Sequence, residues 1–111
     1  MEKMTMRKRK LSVIVEFTTV PLGTGNTGLS GYVSKACQVV AKSGLPYTVT
    51  PMGTIIEAGS LQEALDVVVQ AHESLFEAGA RRVSTSIKID DRRDKKRHME
   101  DKVEALNISN Q

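Results

Sequence analysis

Apolar and polar residues alternate from Leu11 to Thr19. Leu11, Val13, Val15, Phe17 and Thr19 share one face; Ser12, Ile14, Glu16 and Thr18 share the other. Strand side chains project to opposite faces in turn, so this period of two predicts a first strand with its odd-numbered face on a core. Glu16 then points away from the core from mid-strand, toward solvent, a partner interface or a ligand site. From Gly31 to Ser43 the period lengthens. Val33, Ala36, Cys37 and Val40 follow the i, i+3, i+4, i+7 spacing of a helix stripe, with Gly44 and Pro46 as stop signals. Pro46–Thr50 and Thr54–Ala58 read as second and third strands, joined by Pro51-Met52-Gly53 into a hairpin.

Ser60-Leu61-Gln62-Glu63 is a capping box, in which serine and glutamate each serve a backbone N–H left over at a helix start. It opens a long helix whose predicted apolar face is Leu61, Ala64, Leu65, Val68, Leu75 and Phe76, ending at Gly79. Alternation resumes over Arg81–Asp90. Val83, Thr85, Ile87 and Ile89 lie on one face of this fourth strand; Arg82, Ser84, Ser86, Lys88 and Asp90 lie on the other. A charge cluster over Asp91–Arg97 leads into a predicted short helix, Lys95–Leu106, with Met99, Val103 and Leu106 as its apolar positions.

The order is βαββαβ plus a C-terminal helix. Right-handed crossovers and pairing of the central hairpin give an antiparallel sheet ordered 4-1-3-2 with both long helices on one face, the α+β ferredoxin-like sandwich. The domain spans residues 11–106, between a basic N-terminal extension (1–10) and a frayed C-terminus (107–111). At 111 residues the chain suits one domain with a modest core. No apolar run is long enough to cross a bilayer, and the basic N-terminus lacks the apolar stretch of a secretory signal. A single cysteine, Cys37, excludes an internal disulfide, so the expected location is the cytoplasm.

Charge adds one correction. The formal net charge is +3, but residues 1–10 hold five bases against one acid, so the other 101 residues carry a single net negative charge. The basic character belongs to the tail, which weakens a nucleic-acid reading. RNA-recognition domains of this topology also stack bases on aromatics of the first and third strands. Here the third strand has none, and Phe17 falls on the helix side.

The stretch Val20–Ser30 needs separate treatment. Pro21 has no N–H and argues against a continued regular ladder. Ser30 is a candidate N-cap. Gly23-Thr24-Gly25-Asn26-Thr27-Gly28 matches the dinucleotide fingerprint, but the next strand offers no acid for a ribose and the chain is too short for the doubled βαβαβ arrangement. What remains is a side-chain-poor loop before a helix N-terminus, suited to a small polar or anionic ligand, or else a plain glycine-rich connection.

With helices covering one sheet face, the opposite face gathers Ser12, Glu16 and Thr18 from strand one, Glu57 from strand three, and Arg82, Ser84, Ser86 and Lys88 from strand four. Two carboxylates with Lys88 and Arg82 between or beside them can form a hydrogen-bonded ligand site. The same residues can serve a sheet-on-sheet dimer interface, and the two readings are compatible. No nucleophile–base pair, metal motif or Walker loop marks an enzyme. Cys37 and His72 read as packed side chains rather than a nucleophile and a metal ligand, since neither has a suitable neighbour in sequence.

Four separated segments carry a specific resemblance: Glu16-Phe17-Thr18-Thr19-Val20-Pro21-Leu22-Gly23, Gly28-Leu29-Ser30, Pro51-Met52-Gly53-Thr54-Ile55-Ile56-Glu57, and Arg82 through Arg93. In order and spacing the chain resembles the YkoF-like thiamine-binding family over about residues 11–106. The resemblance implies a ferredoxin-like fold, protomers paired through their sheets, commonly a homotetramer, and binding of thiamine or its hydroxymethylpyrimidine moiety without catalysis or a further cofactor. It places Glu16, the Gly23 loop, Ser30, Gly53, Thr54, Glu57 and Lys88 near the ligand. The basic extension is not part of the family pattern. An aminopyrimidine offers a ring nitrogen and an exocyclic amine that Glu16 or Glu57 can engage, with Tyr47, Ile14 and Ile55 as candidate walls. Competing expectations are an oligomerisation module with no small ligand and, less favoured, an RNA-binding module.

Overall fold

The computed structural model describes residues 11–23 and 30–94. The predicted C-terminal helix, both termini and most of the glycine loop lie outside the described residues. Six elements follow in order: β1 (Val13–Pro21), α1 (Ser30–Lys42), β2 (Tyr47–Thr50), β3 (Gly53–Ala58), α2 (Leu61–Glu77) and β4 (Val83–Asp91). The four strands form one sheet ordered β2-β3-β1-β4, antiparallel at every pairing. Read from the other edge, this is the predicted 4-1-3-2.

The strand phase is as the alternation requires. Val13, Val15 and Phe17 are buried, as are Ile56 and Ala58 of β3. They meet Ala36 and Val40 of α1 and Ala64, Val67, Val68, Ala71 and Leu75 of α2. A fully buried Val15 or Ile56 contributes about 1.5–3 kcal/mol relative to an exposed one.

Ser60 caps α2, its hydroxyl accepting from the Glu63 N–H at 3.2 Å; Glu63 in turn accepts from the Gly59 N–H at 3.1 Å, one residue earlier than the standard box. The helix closes at Ala78, whose N–H donates to the Ser74 carbonyl, with Ala80 N–H reaching back to Leu75. His72 packs at the sheet edge. Its Nδ1 lies 2.7 Å from Thr85 Oγ1, which lies 2.7 Å from Thr19 Oγ1, and its ring tilts against Phe76.

Three expectations need correction. Val33 is 53% exposed; α1 packs chiefly on α2 and turns Tyr32, Ala36, Val39 and Val40 inward instead. On α2, Phe76 is exposed and Leu65 half-buried, while Val67 and Ala71 complete the core face. Pro21 stays within the β1 ladder, opposite Val83. Its neighbour Leu22 donates its N–H to Arg82 of the β4 side. Consecutive N–H groups of a strand point to opposite sides, so the missing donor of Pro21 faces the side where β3 has already ended. Arg82 lies one residue before β4, and its carbonyl accepts from the Leu22 N–H, so it stands at the end of the polar row as expected.

Candidate functional site

The helix-free face of the sheet is a grid with known rows. In the central row Lys88 of β4 stands opposite Glu16 of β1, which stands opposite Ile55 of β3, which stands opposite Thr48 of β2. In the next row Asp90 stands opposite Ile14, and Ile14 opposite Glu57. Directly opposed residues have Cβ atoms about 5 Å apart and diagonal ones about 7–8 Å, so Glu16 touches the range of both Lys88 and Glu57. Glu16 and Glu57 are half-buried and Lys88 is exposed. Among the described residues none of the three side chains has a hydrogen-bond or ion-pair partner. The face also carries Asp90, and hydrogen bonds that extend the β1–β4 ladder at its two ends add Arg82 and Arg92, so Glu16 and Glu57 lie at the centre of a mixed charged surface.

Gly53 shapes this surface. It stands opposite Thr50, at the start of β3. A Cβ built there would meet the Phe17 carbonyl oxygen and Thr18 Cγ2, each at 3.0 Å, and Glu16 Cγ at 3.5 Å. The place of the absent side chain is taken by Thr18 and the stem of Glu16. Glycine here lets Glu16 lie low across β3 rather than stand off into solvent.

The other expected residues lie elsewhere. Tyr47 is opposite the buried Ile56, and Thr54 is opposite the buried Phe17, so both belong to the helix-facing side of the sheet. Tyr47 consequently forms no common wall with Ile14 and Ile55, which are on the open face. The physical reason is phase: Tyr47 and Thr48 alternate, and the β2–β3 register turns Thr48 outward. Gly23 follows β1, seven residues past Glu16 and about 23 Å further along the strand direction at extended spacing. Its φ of +65° is the left-handed region, which glycine enters without a Cβ penalty and which lets the chain leave β1 sharply. Ser30 begins α1. Lys88, Glu16, Glu57 and Gly53 are thus brought together, with Gly23 at the end of the sheet beyond them. Ile14 and Val20, both over 40% exposed on the same face, join the surface as apolar members. Asp90 also belongs to it; its two-residue spacing from Lys88 was the signal.

No helix among the described residues is long and apolar enough to cross a membrane.

Comparison with known proteins identifies a family and supports the fold. Residues 15–107 match the family model of the thiamine-binding protein family. A UPF0045 protein of Methanothermobacter thermautotrophicus is 45% identical over 94 residues, covering 85% of this chain and 95% of the relative. The UPF0045 protein YqgV of Bacillus subtilis is 40% identical, covering 85% and 93%. Among solved structures, a domain of unknown function from Bacillus cereus superposes with a TM-score of 0.69 at 37% identity, covering 82% of this chain and 86% of that one. A structure from Thermotoga maritima, described as a suggested thiamine biosynthesis or salvage protein, gives 0.63 at 27% identity, covering 85% and 97%. Fold, motif order and the match across nearly the whole domain lead to one conclusion: the chain belongs to the thiamine-binding protein family.

Proposed function

We propose that this protein binds thiamine or its hydroxymethylpyrimidine moiety on the helix-free face of its sheet, as a non-catalytic cytoplasmic binder, and that copies pair through those faces, with a homotetramer as the assembly. The observation that carries the reading is the pair Glu16 and Glu57. They are diagonal neighbours, half-buried, beside Lys88, and have no side-chain partner of their own. A half-buried carboxylate without a partner is poised to accept from an amine-bearing ring. The Thermotoga relative's description points to the same vitamin.

Calorimetry with thiamine, the pyrimidine alcohol and their phosphate esters tests this. The wild-type chain gives a binding isotherm with at least one of them. Glu16→Gln and Glu57→Gln each weaken it about tenfold or more, as loss of a charged hydrogen bond of about 1.5–3 kcal/mol requires. No heat from any of the four compounds overturns the proposal.

A further inference from the structure

The open face of the sheet changes character along β4. Its described acids, Glu16, Glu57 and Asp90, occupy two adjacent rows. Past Lys88, toward the start of the strand, the outward positions are Ser86, Ser84 and, one residue before β4, Arg82. All three are exposed. Thr18 stands opposite Ser86 and Val20 opposite Ser84, so no carboxylate faces either serine across the ladder. Successive outward residues of a strand are about 7 Å apart, which sets the two serines between the long cationic side chains of Arg82 and Lys88. Among the described residues, the side chains of Thr18, Arg82, Ser84, Ser86 and Lys88 have no hydrogen-bond or ion-pair partner. Lys88 is unpaired even though Glu16 stands opposite it. β4 is an outer strand, so this row runs along the border of the face rather than through its centre.

We propose that this row of donors, Arg82, Ser84, Ser86 and Lys88 with Thr18 across from it, holds a phosphate monoester, so that the phosphorylated pyrimidine alcohol is bound in preference to the free alcohol. The inference rests on the proposed seat of the ring at Glu16 and Glu57. An ionised phosphate is rich in acceptor oxygens, and every side chain of the row offers it a donor: hydroxyls from the serines and Thr18, a planar fork from Arg82, a point charge from Lys88. Hydrogen bonds to an ionised partner are about twice as strong as neutral ones. The Thr18–Ser86 row lies two strand residues, about 7 Å, from the Glu16–Lys88 row, which a single ester linkage from the ring covers. The two ends also fix the direction of the ligand. Glu16 and Glu57 accept from the ring amine and repel a phosphate, whereas the serine row has no acceptor stronger than a hydroxyl. Lys88, between the ends, screens the phosphate from Glu16.

Calorimetry with a matched pair of ligands tests the proposal: hydroxymethylpyrimidine and its monophosphate, each titrated into the full-length chain. The wild type binds the monophosphate about tenfold or more tightly than the alcohol, as one or more charge-assisted hydrogen bonds require. In the double variant Arg82→Gln, Ser86→Ala that ratio falls to within about threefold, and Arg82→Lys alone retains most of it. Both positions are exposed, so the circular dichroism spectra coincide with the wild type. Inorganic phosphate added to the alcohol does not raise its affinity; a rise makes a free anion the occupant and overturns the proposal. Equal affinities for the two ligands overturn it while leaving the ring's seat intact. A preference that survives in the double variant also overturns it, by placing the phosphate elsewhere. Absence of binding by both ligands removes the underlying reading together with this one.

Discussion

At the scale of single residues, Gly53 and Glu16 act as one unit. Replacing Gly53 with alanine sets a methyl against the Phe17 carbonyl and Thr18, neither of which can withdraw freely because one is backbone and the other sits in the sheet. Overpacking of this kind costs about 1–3 kcal/mol. Gly53→Ala therefore lowers the denaturant midpoint without changing the slope of the transition, and it weakens ligand binding by lifting Glu16. An unchanged midpoint would show that the hairpin shifts freely. Glu16 and Glu57 were legible as outward-facing from strand period alone. The function of Gly53 was not, because the close approach depends on which strand lies beside it. Aromatic character alone groups Tyr47 with Ile14 and Ile55 as a wall for a ring ligand, but a four-residue strand has too few positions to set its own phase. Only pairing with β3 does that.

At the scale of elements, α2 was readable from end to end because its cap is local chemistry. Ser60→Ala removes the acceptor for the Glu63 N–H. The expected loss is about 0.5–2 kcal/mol. A loss of 1 kcal/mol lowers the melting temperature of a domain this size by roughly 4–8 °C, read by thermal circular dichroism. A melting curve that coincides with the wild type would assign the helix start to other contacts. The apolar stripe of α1 was less legible. Val33 and Val39 are equally hydrophobic, and which is covered depends on how the helix leans against its neighbour. Because α1 leans on α2, Val39 is packed and Val33 is bare. The outer strand β4 shows the same limit: its odd-numbered row is apolar along its length, yet the described helices leave Ile87 and Ile89 open.

At the scale of the whole molecule, the sheet has one face under helices and one face carrying Ile14, Val20, Ile55 and the charged row. A sheet face with both apolar and charged members suits pairing with a second copy, in which carboxylates and lysines find partners across the interface. Light scattering is expected to give a multiple of the 12.2 kDa chain mass. Ile14→Lys, placed in the middle of the exposed face, yields monomers with an unchanged circular dichroism spectrum. A monomeric wild type would remove the pairing while leaving the ligand test standing.

By itself the amino-acid order determined what is local or periodic: the kind and order of the six described elements, the α2 cap, and which residues of β1 and β4 share a face. Periods of two and of three to four act over neighbouring residues, so they survive without knowledge of the fold. Tertiary structure alone decided matters that need two elements at once. These are the register that sets Glu16 opposite Lys88, its diagonal approach to Glu57, the contact that only glycine permits at position 53, and the exposure of Ile87 and Ile89 beside the described helices. Each depends on register or on the limited width of a helix layer, and neither quantity is written in any one segment of the chain.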